Sequence, residues 1–130
     1  MAKIEPYAAK TVYDPPGYAQ AVKVSGAETI LYLSGQVDYS AEGGVAHPGD
    51  FKAQARACLE AVKAQVEAGG GTMANIVKVN TYVTDLRYRP DYAAVREAFF
   101  GKKMPASTMV GVSGLAHPDF LIEIEAVAVF

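Results

Sequence analysis

The chain has 130 residues, 51% of them hydrophobic, and a formal net charge of −2. This size and composition predict one domain, residues 1–130, that buries a core without disulfide or metal support. The 12 Lys and Arg residues are scattered among 14 Asp and Glu residues, which argues against a site for the phosphate backbone of a nucleic acid.

Cysteine content and hydropathy indicate the cellular setting. The lone Cys58 excludes an internal disulfide and is typical of a reducing compartment. No apolar run approaches the roughly 20 residues that a membrane-spanning helix needs, and the start of the chain lacks the apolar segment of a secretory signal. We therefore expect a soluble, cytoplasmic protein with no membrane partner.

The first part of the chain predicts two short strands and a loop. The strands lie at about 21–24 and 29–33, and the SGAE segment between them predicts a hairpin turn. The segment AEGGVAHPGD that follows is rich in Gly and predicts a loop.

Two helices are predicted in the middle of the chain. The first begins at an N-cap, Asp50, and ends at the run 69–71 of three glycines. Cys58 lies in its apolar stripe, so we interpret it as a buried structural thiol rather than a nucleophile. Thr72 is predicted to cap one further turn before a strand in IVKVNTYVTD, and a short second helix is predicted at about 91–100.

Two more strands complete the chain, in ASTMVGVSGL and FLIEIEAVAVF, with the loop AHPD between them. The order ββ-α-β-α-ββ predicts an α+β sandwich, in which two helices pack on one face of a mixed sheet. The other face of that sheet has too few polar residues for an exposed surface. We therefore predict that the chain associates with copies of itself.

The last strand carries two carboxylates on one face, Glu123 and Glu125, while its other face is wholly apolar. One interpretation is structural, with either residue paired to Lys or Arg at a subunit edge. The other is catalytic, because a carboxylate in a partly apolar cleft beside a like charge favours its protonated form and can serve as a general acid or base. The pattern alone leaves both open.

No metal or phosphate site is predicted. His47 and His117 each precede a proline in a loop, and neither has a cluster of ligands at metal-binding spacing around it. The three glycines at 69–71 follow a helix instead of leading from a strand into one, so they predict a helix terminator and not a phosphate cradle.

Several short motifs together resemble the RidA family, also called the YjgF or UK-type family. They are GYAQAV, ILYLSGQV, QARACLEAVKAQVEAGG, IVKVNTYVTDL, the AFF end of the second helix and PASTMVGVSGLAHPDFLIEIEAVAV. The resemblance covers nearly the whole chain in order. It implies a chorismate-mutase-like fold, a homotrimer with ligand clefts between subunits, and hydrolysis of enamines and imines such as 2-aminoacrylate to keto acids and ammonia. It also implies that no metal or cofactor is used.

The resemblance implies roles for individual residues. Glu123 matches the catalytic glutamate that orders water or assists protonation, and Tyr18 matches a tyrosine that closes the pocket. Gly35, beside Ser34, matches a glycine that offers backbone contacts. Glu125 is then expected to make a structural pair near the interface.

The chain differs from the family at the position whose side chain binds the substrate carboxylate. The family motif PAR reads Pro105-Ala106-Ser107 here; Met109 stands where a cysteine is common, and Ala93 where the second helix has an asparagine. A hydroxyl hydrogen bond contributes about 0.5–1.5 kcal/mol, against about 1.5–3 kcal/mol for one to a charged group. Ser107 and Met109 remain expected substrate contacts, with a substrate other than 2-aminoacrylate, unless another cation substitutes. The candidate cations are Arg87, Arg89, Arg96, Lys102 and Lys103.

Two functions of different classes follow from these residues. The first is a cofactor-free deaminase or hydrolase of a small reactive imine or enamine. The second is a non-catalytic trimeric protein that binds a small molecule or stabilises a partner. A third, endoribonuclease activity, is attached to some relatives by name and ranks last because the acidic charge balance attracts phosphate poorly.

Overall fold

A computed structural model describes residues 2–101 and 105–130 of the chain. Its strands and helices are, in chain order, β1 (Lys3–Tyr7), β2 (Ala21–Ser25), β3 (Ile30–Gln36), α1 (Phe51–Ala68), β4 (Ile76–Val83), α2 (Arg89–Phe100), β5 (Ala106–Gly111) and β6 (Ile122–Val129). Short 3-10 turns precede β4 and α2.

A four-stranded mixed sheet organises the fold. Its strand order is β3-β6-β4-β5; β4 and β5 run parallel, and the other neighbours are antiparallel. Both helices lie on one side of this sheet, where α1 packs on β6, β3 and α2. The predicted α+β class, with two helices on one face of a mixed sheet, is confirmed.

The predicted hairpin between β2 and β3 is wrong. β2 instead pairs with β1, a strand that the sequence reasoning missed, in a separate two-stranded antiparallel sheet. β3 pairs with β6, far along the chain. This long-range pairing sets Leu31 and Leu33 against the core, and the apolar burial it provides outweighs the local turn signal of SGAE.

The helix boundaries follow the local signals closely. Asp50 caps α1 by accepting a hydrogen bond of 3.1 Å from the Ala53 amide, and the helix ends at Gly69, with Gly70 at φ +97°. α2 begins at Arg89, two residues before the predicted start, because Pro90 fits the first turn of a helix. Within the described residues, no helix is long and apolar enough to cross a membrane.

The core lies between the helices and the sheet and is almost entirely apolar. It contains Phe51, Ala55, Cys58, Leu59, Val62, Val66, Ile76, Val79, Val83, Tyr92, Val95, Ile122, Ile124, Ala126 and Ala128. Gln54 is a fully buried exception. Its amide donates to the carbonyls of His47 and Asp119 and accepts from the Leu121 amide at 2.9 Å, which ties α1 to the chain that enters β6.

Candidate functional site

The four-stranded sheet has two unlike faces. We call the side covered by α1 and α2 the helix face, and the opposite side the outer face. The strand register pairs Val79 with Ser107 and with Ala126, which sets those residues on the helix face. The outer face carries Tyr32, Lys78, Asn80, Tyr82, Thr108, Glu123, Glu125 and Val127.

Glu123 lies on the outer face directly over Gly35. A Cβ atom added at Gly35 would lie 2.5 Å from the carboxyl carbon of Glu123 and 2.7 Å from its Cγ, closer than carbon atoms approach without overlap. A register shift between Leu33 and Gln36 brings β3 to this position. Gly35 therefore provides the space for the Glu123 side chain.

The carboxylate of Glu123 is unpaired among the described residues. No side chain among residues 2–101 and 105–130 hydrogen-bonds to it or forms an ion pair with it. Ser34 lies next to Gly35 and is exposed. The outer face thus presents a half-buried carboxylate with unused acceptor capacity.

Glu125 is engaged within the chain. Its Oε1 accepts a hydrogen bond of 3.3 Å from the Asn80 amide and a short one from the Tyr82 hydroxyl. The bond to Glu125 is the main cause that raises the pKa of Tyr82 above its usual value of 10.0. A structural pairing was expected, but its partners are an amide and a phenol, not Lys or Arg. Asn80 and Tyr82 lie two residues apart, as the two glutamates do, so all four side chains are on one face of the sheet. The register of β4 against β6 is what places Asn80 and Tyr82 beside Glu125.

A second group of predicted residues lines a narrow cleft on the helix face, at the β5 edge of the sheet. The chain before β2 runs beside the start of β5, where the Ala19 amide donates to the Pro105 carbonyl at 3.2 Å. This contact sets Tyr18 beside Ser107. The cleft is lined by Gly17, Tyr18, Val79, Tyr92, Arg96, Phe100, Pro105 and Ser107.

Arg96 is the one predicted replacement cation that the described residues bring to this cleft. Its Cζ lies 5.7 Å from the centre of the Tyr92 ring. Arg87 instead forms an exposed ion pair with Asp85, at 2.6 Å, and Arg89 is exposed at the start of α2. Lys102 and Lys103 lie outside the described residues.

A single chain does not bring the two groups together. Ser107 and Glu123 point to opposite faces of the sheet, on strands that are separated by β4 and thus about 10 Å apart. Met109 lies on the helix face like Ser107, but it packs against the core and does not line the cleft.

The remaining chemical candidates are structural. Burial is the main cause that raises the pKa of the Cys58 thiol to about 12, so the thiol carries its proton at neutral pH. The buried carboxylate of Asp38 accepts from the His47 amide at 2.6 Å and lies 2.8 Å from His47 Nδ1, which fixes the loop before α1. No group of three metal-ligating side chains occurs among the described residues.

Comparison with known proteins identifies the family. The family described as Endoribonuclease L-PSP matches residues 11–130. The chain belongs to this family. A RutC family protein from Pyrococcus horikoshii is 39% identical over 114 residues, which are 85% of this chain and 85% of the relative.

Solved structures of Rid proteins share the fold over nearly the whole chain. The chain superposes on YyfB of Yersinia pestis, a Rid family protein, with a TM-score of 0.87 and 30% identity, over 98% of each chain. RidA from an Antarctic Psychrobacter species gives a TM-score of 0.73 and 33% identity, over 97% of this chain and 94% of the other. The resemblance to the RidA family that the sequence motifs indicated is confirmed.

Proposed function

We propose that the protein hydrolyses a small reactive imine or enamine to a carbonyl compound and ammonia, with Glu123 as the catalytic residue. The observation that carries this proposal is the contrast between two neighbouring carboxylates. Glu125 is held by Asn80 and Tyr82, whereas Glu123 lies over Gly35 with its acceptors unused by the described residues. Membership of the L-PSP family supports a deaminase-like or endoribonuclease-like role at the family level.

The chemistry needs one group that moves protons. As general base, Glu123 accepts a proton from water while the water oxygen bonds to the imine carbon. It then returns that proton to the nitrogen, which gives an amino alcohol. Glu123 next takes the hydroxyl proton and passes it to the nitrogen while the carbon–nitrogen bond breaks, so that ammonia and the carbonyl product are released. An enamine first takes a proton on carbon, which the protonated form of the same residue can supply.

We further propose that the site forms between copies of the chain in a homotrimer. The outer face exposes 78% of Tyr32 and 52% of Ile30, as expected for a surface that a partner covers. Since Ser107 and Glu123 of one chain face opposite ways, a ligand touching both needs Glu123 from a neighbouring copy. Sedimentation should give a trimer; a species near the chain mass of 13.8 kDa would contradict the proposal.

The test of function compares Glu123→Gln with Glu125→Gln. Imines generated in solution by an amino-acid dehydratase or oxidase are supplied to each protein, and keto acid release is followed in a coupled assay. We expect Glu123→Gln to abolish the acceleration without altering assembly, because the amide keeps the shape but cannot exchange protons. Glu125→Gln should retain turnover. Equal acceleration by both variants and the unaltered protein would remove Glu123 as the catalytic residue. Release at the uncatalysed rate with all three proteins would instead favour a protein that binds small molecules without chemistry.

Endoribonuclease activity is the alternative that the family description suggests. The two carboxylates on the outer face and the net charge of −2 give phosphate little attraction. RNA cleavage that requires Glu123 would reverse this ranking.

A further inference from the structure

Tyr82 lies on the outer face beside the proposed catalytic residue. In the antiparallel pair of β4 and β6, Tyr82 is the direct partner of Glu123, and the Cβ atoms of such partners lie about 4.5–5.5 Å apart. Both residues are half-buried. On β5, the partner of Tyr82 is Val110. Tyr82 therefore stands between Val110 and Glu123 in one row across the sheet.

The hydroxyl of Tyr82 fixes the direction of its ring. It donates a short hydrogen bond to Glu125 Oε1, which also accepts from the Asn80 amide at 3.3 Å. A ring that starts opposite Glu123 and ends at Glu125 has to lie along the β4 side of both glutamates. The charge of Glu123 raises the pKa of Tyr82, after the larger effects of the hydrogen bond to Glu125, of burial and of the Glu125 charge. This agrees with a phenol that lies close to both carboxylates.

The two glutamates turn to opposite sides of β6. Glu125 turns to β4, where Asn80 and Tyr82 bind it. Glu123 turns to β3, where its Cγ would lie 2.7 Å from a Cβ atom at Gly35. A glutamate chooses among staggered rotamers, and the Tyr82 ring occupies the space that a rotamer facing β4 would need. Because like charges repel, holding Glu125 on the β4 side also favours Glu123 on the β3 side.

We propose that Tyr82 is a positioning residue that keeps the Glu123 carboxylate over Gly35. The ring blocks the β4 side, and the hydrogen bond to Glu125 stops the ring from turning away. Gly35 provides the space for the carboxylate, and Tyr82 closes the alternative. This inference rests on the proposed function, because it explains how the proton-transferring group of that site is placed.

The first test measures turnover in variants of Tyr82. Tyr82→Leu removes the ring and should lower kcat for keto acid release up to roughly 100-fold, the factor for a misplacement of about 1 Å. Tyr82→Phe keeps the ring but loses the hydrogen bond, and should lower kcat roughly 10-fold. KM should change little, because Tyr82 acts on the group that moves protons. Tyr7→Phe, which removes the hydroxyl of an exposed tyrosine on β1, is the control and should leave kcat unchanged. Urea unfolding and sedimentation check the fold and the assembly of each variant.

Substitutions of Glu125 test the hydrogen bond from its other end. Glu125→Gln keeps an oxygen that accepts from the Tyr82 hydroxyl, whereas Glu125→Ala removes the acceptor. Turnover should therefore fall in Glu125→Ala about as far as in Tyr82→Phe, and it should be retained in Glu125→Gln. Equal turnover in the two Glu125 variants would overturn the inference.

A double-mutant cycle with Gly35→Ala separates positioning from a general structural role. If Tyr82 acts by placing Glu123, its removal should cost little once Gly35→Ala has already displaced the carboxylate. The double variant should then be about as slow as the slower single variant. Fold losses in kcat that multiply would show that Tyr82 acts independently of the Glu123 position, and would overturn the inference. Should Tyr82→Leu fail to fold, Tyr82→Phe completes the same cycle.

NMR reports the position of Glu123 without any substrate. Nuclear Overhauser effects between the Cγ protons of Glu123 and the Cα protons of Gly35 are expected from their close approach. They should weaken in Tyr82→Leu and Tyr82→Phe and stay unchanged in Tyr7→Phe. Effects of full strength in both Tyr82 variants would refute the positioning role.

The two measurements distinguish failure of this inference from failure of the proposed function. If turnover depends on Glu123 while both Tyr82 variants match the unaltered protein, the inference fails and the hydrolase stands. If the Overhauser effects weaken in the Tyr82 variants but no imine is turned over by the unaltered protein, the hydrolase fails and the inference stands.

Discussion

Replacing Gly35 by alanine tests the placement of Glu123 most directly. The added methyl group would lie 2.5 Å from the Glu123 carboxyl carbon. Ordinary carbon–carbon contact begins at about 3.5 Å, so the carboxyl group has to retreat by about 1 Å. Because the obstructing atoms belong to the flexible end of a glutamate, the backbone need not move. An off-rotamer side chain costs about 0.5–1.5 kcal/mol, which leaves the fold intact.

The expected consequence of Gly35→Ala is a loss of turnover with little loss of stability. A misplacement of about 1 Å in a catalytic group can reduce the rate roughly 100-fold. The assays are keto acid release from an imine, and urea unfolding on the same preparation. Gly114→Ala is the matched control, because a Cβ atom there meets nothing within 4 Å among the described residues. Full turnover in Gly35→Ala, together with an inactive Glu123→Gln, would refute the reasoning.

Three further predictions concern groups inside the fold. Glu125→Gln should lower the raised pKa of Tyr82 toward 10.0, because the hydrogen bond to the carboxylate is its main cause; NMR of carbon-labelled tyrosine measures this, and an unchanged titration would exclude that cause. Folding raises the pKa of the Cys58 thiol from 9.0 to about 12, so between pH 9 and pH 12 the folded state holds a proton that the unfolded state has lost. The free energy of unfolding should therefore fall by about 1.4 kcal/mol per pH unit over this range. In Cys58→Ala, the free energy of unfolding measured in urea should depend less on pH over this range. The same pH dependence in the variant and the unaltered protein would show that Cys58 is not its cause. Gln54→Leu should destabilise the fold by roughly 2–4 kcal/mol, because it leaves the half-buried Leu121 amide and two carbonyls without partners. A loss below about 1 kcal/mol in the unfolding curve would show that water replaces the Gln54 amide.

Local signals in the sequence determined the ends of α1 and the two sides of the last strand. Asp50 and the glycines at 69–71 delimit α1 in the sequence as in the structure, because caps and terminators act within one turn of a helix. The two-residue period of β6 likewise set Ile122 and Ile124 in the core and the two glutamates on the opposite face.

The tertiary structure alone decided which strands pair and which of the two glutamates has hydrogen-bond partners. β3 joins β6 and not its neighbour β2, since burial of apolar surface depends on distant partners that no turn signal encodes. Glu123 and Glu125 are identical in type and face. One becomes structural because the register of β4 sets Asn80 and Tyr82 beside it, and the other becomes available because the shifted register of β3 sets a glycine beneath it.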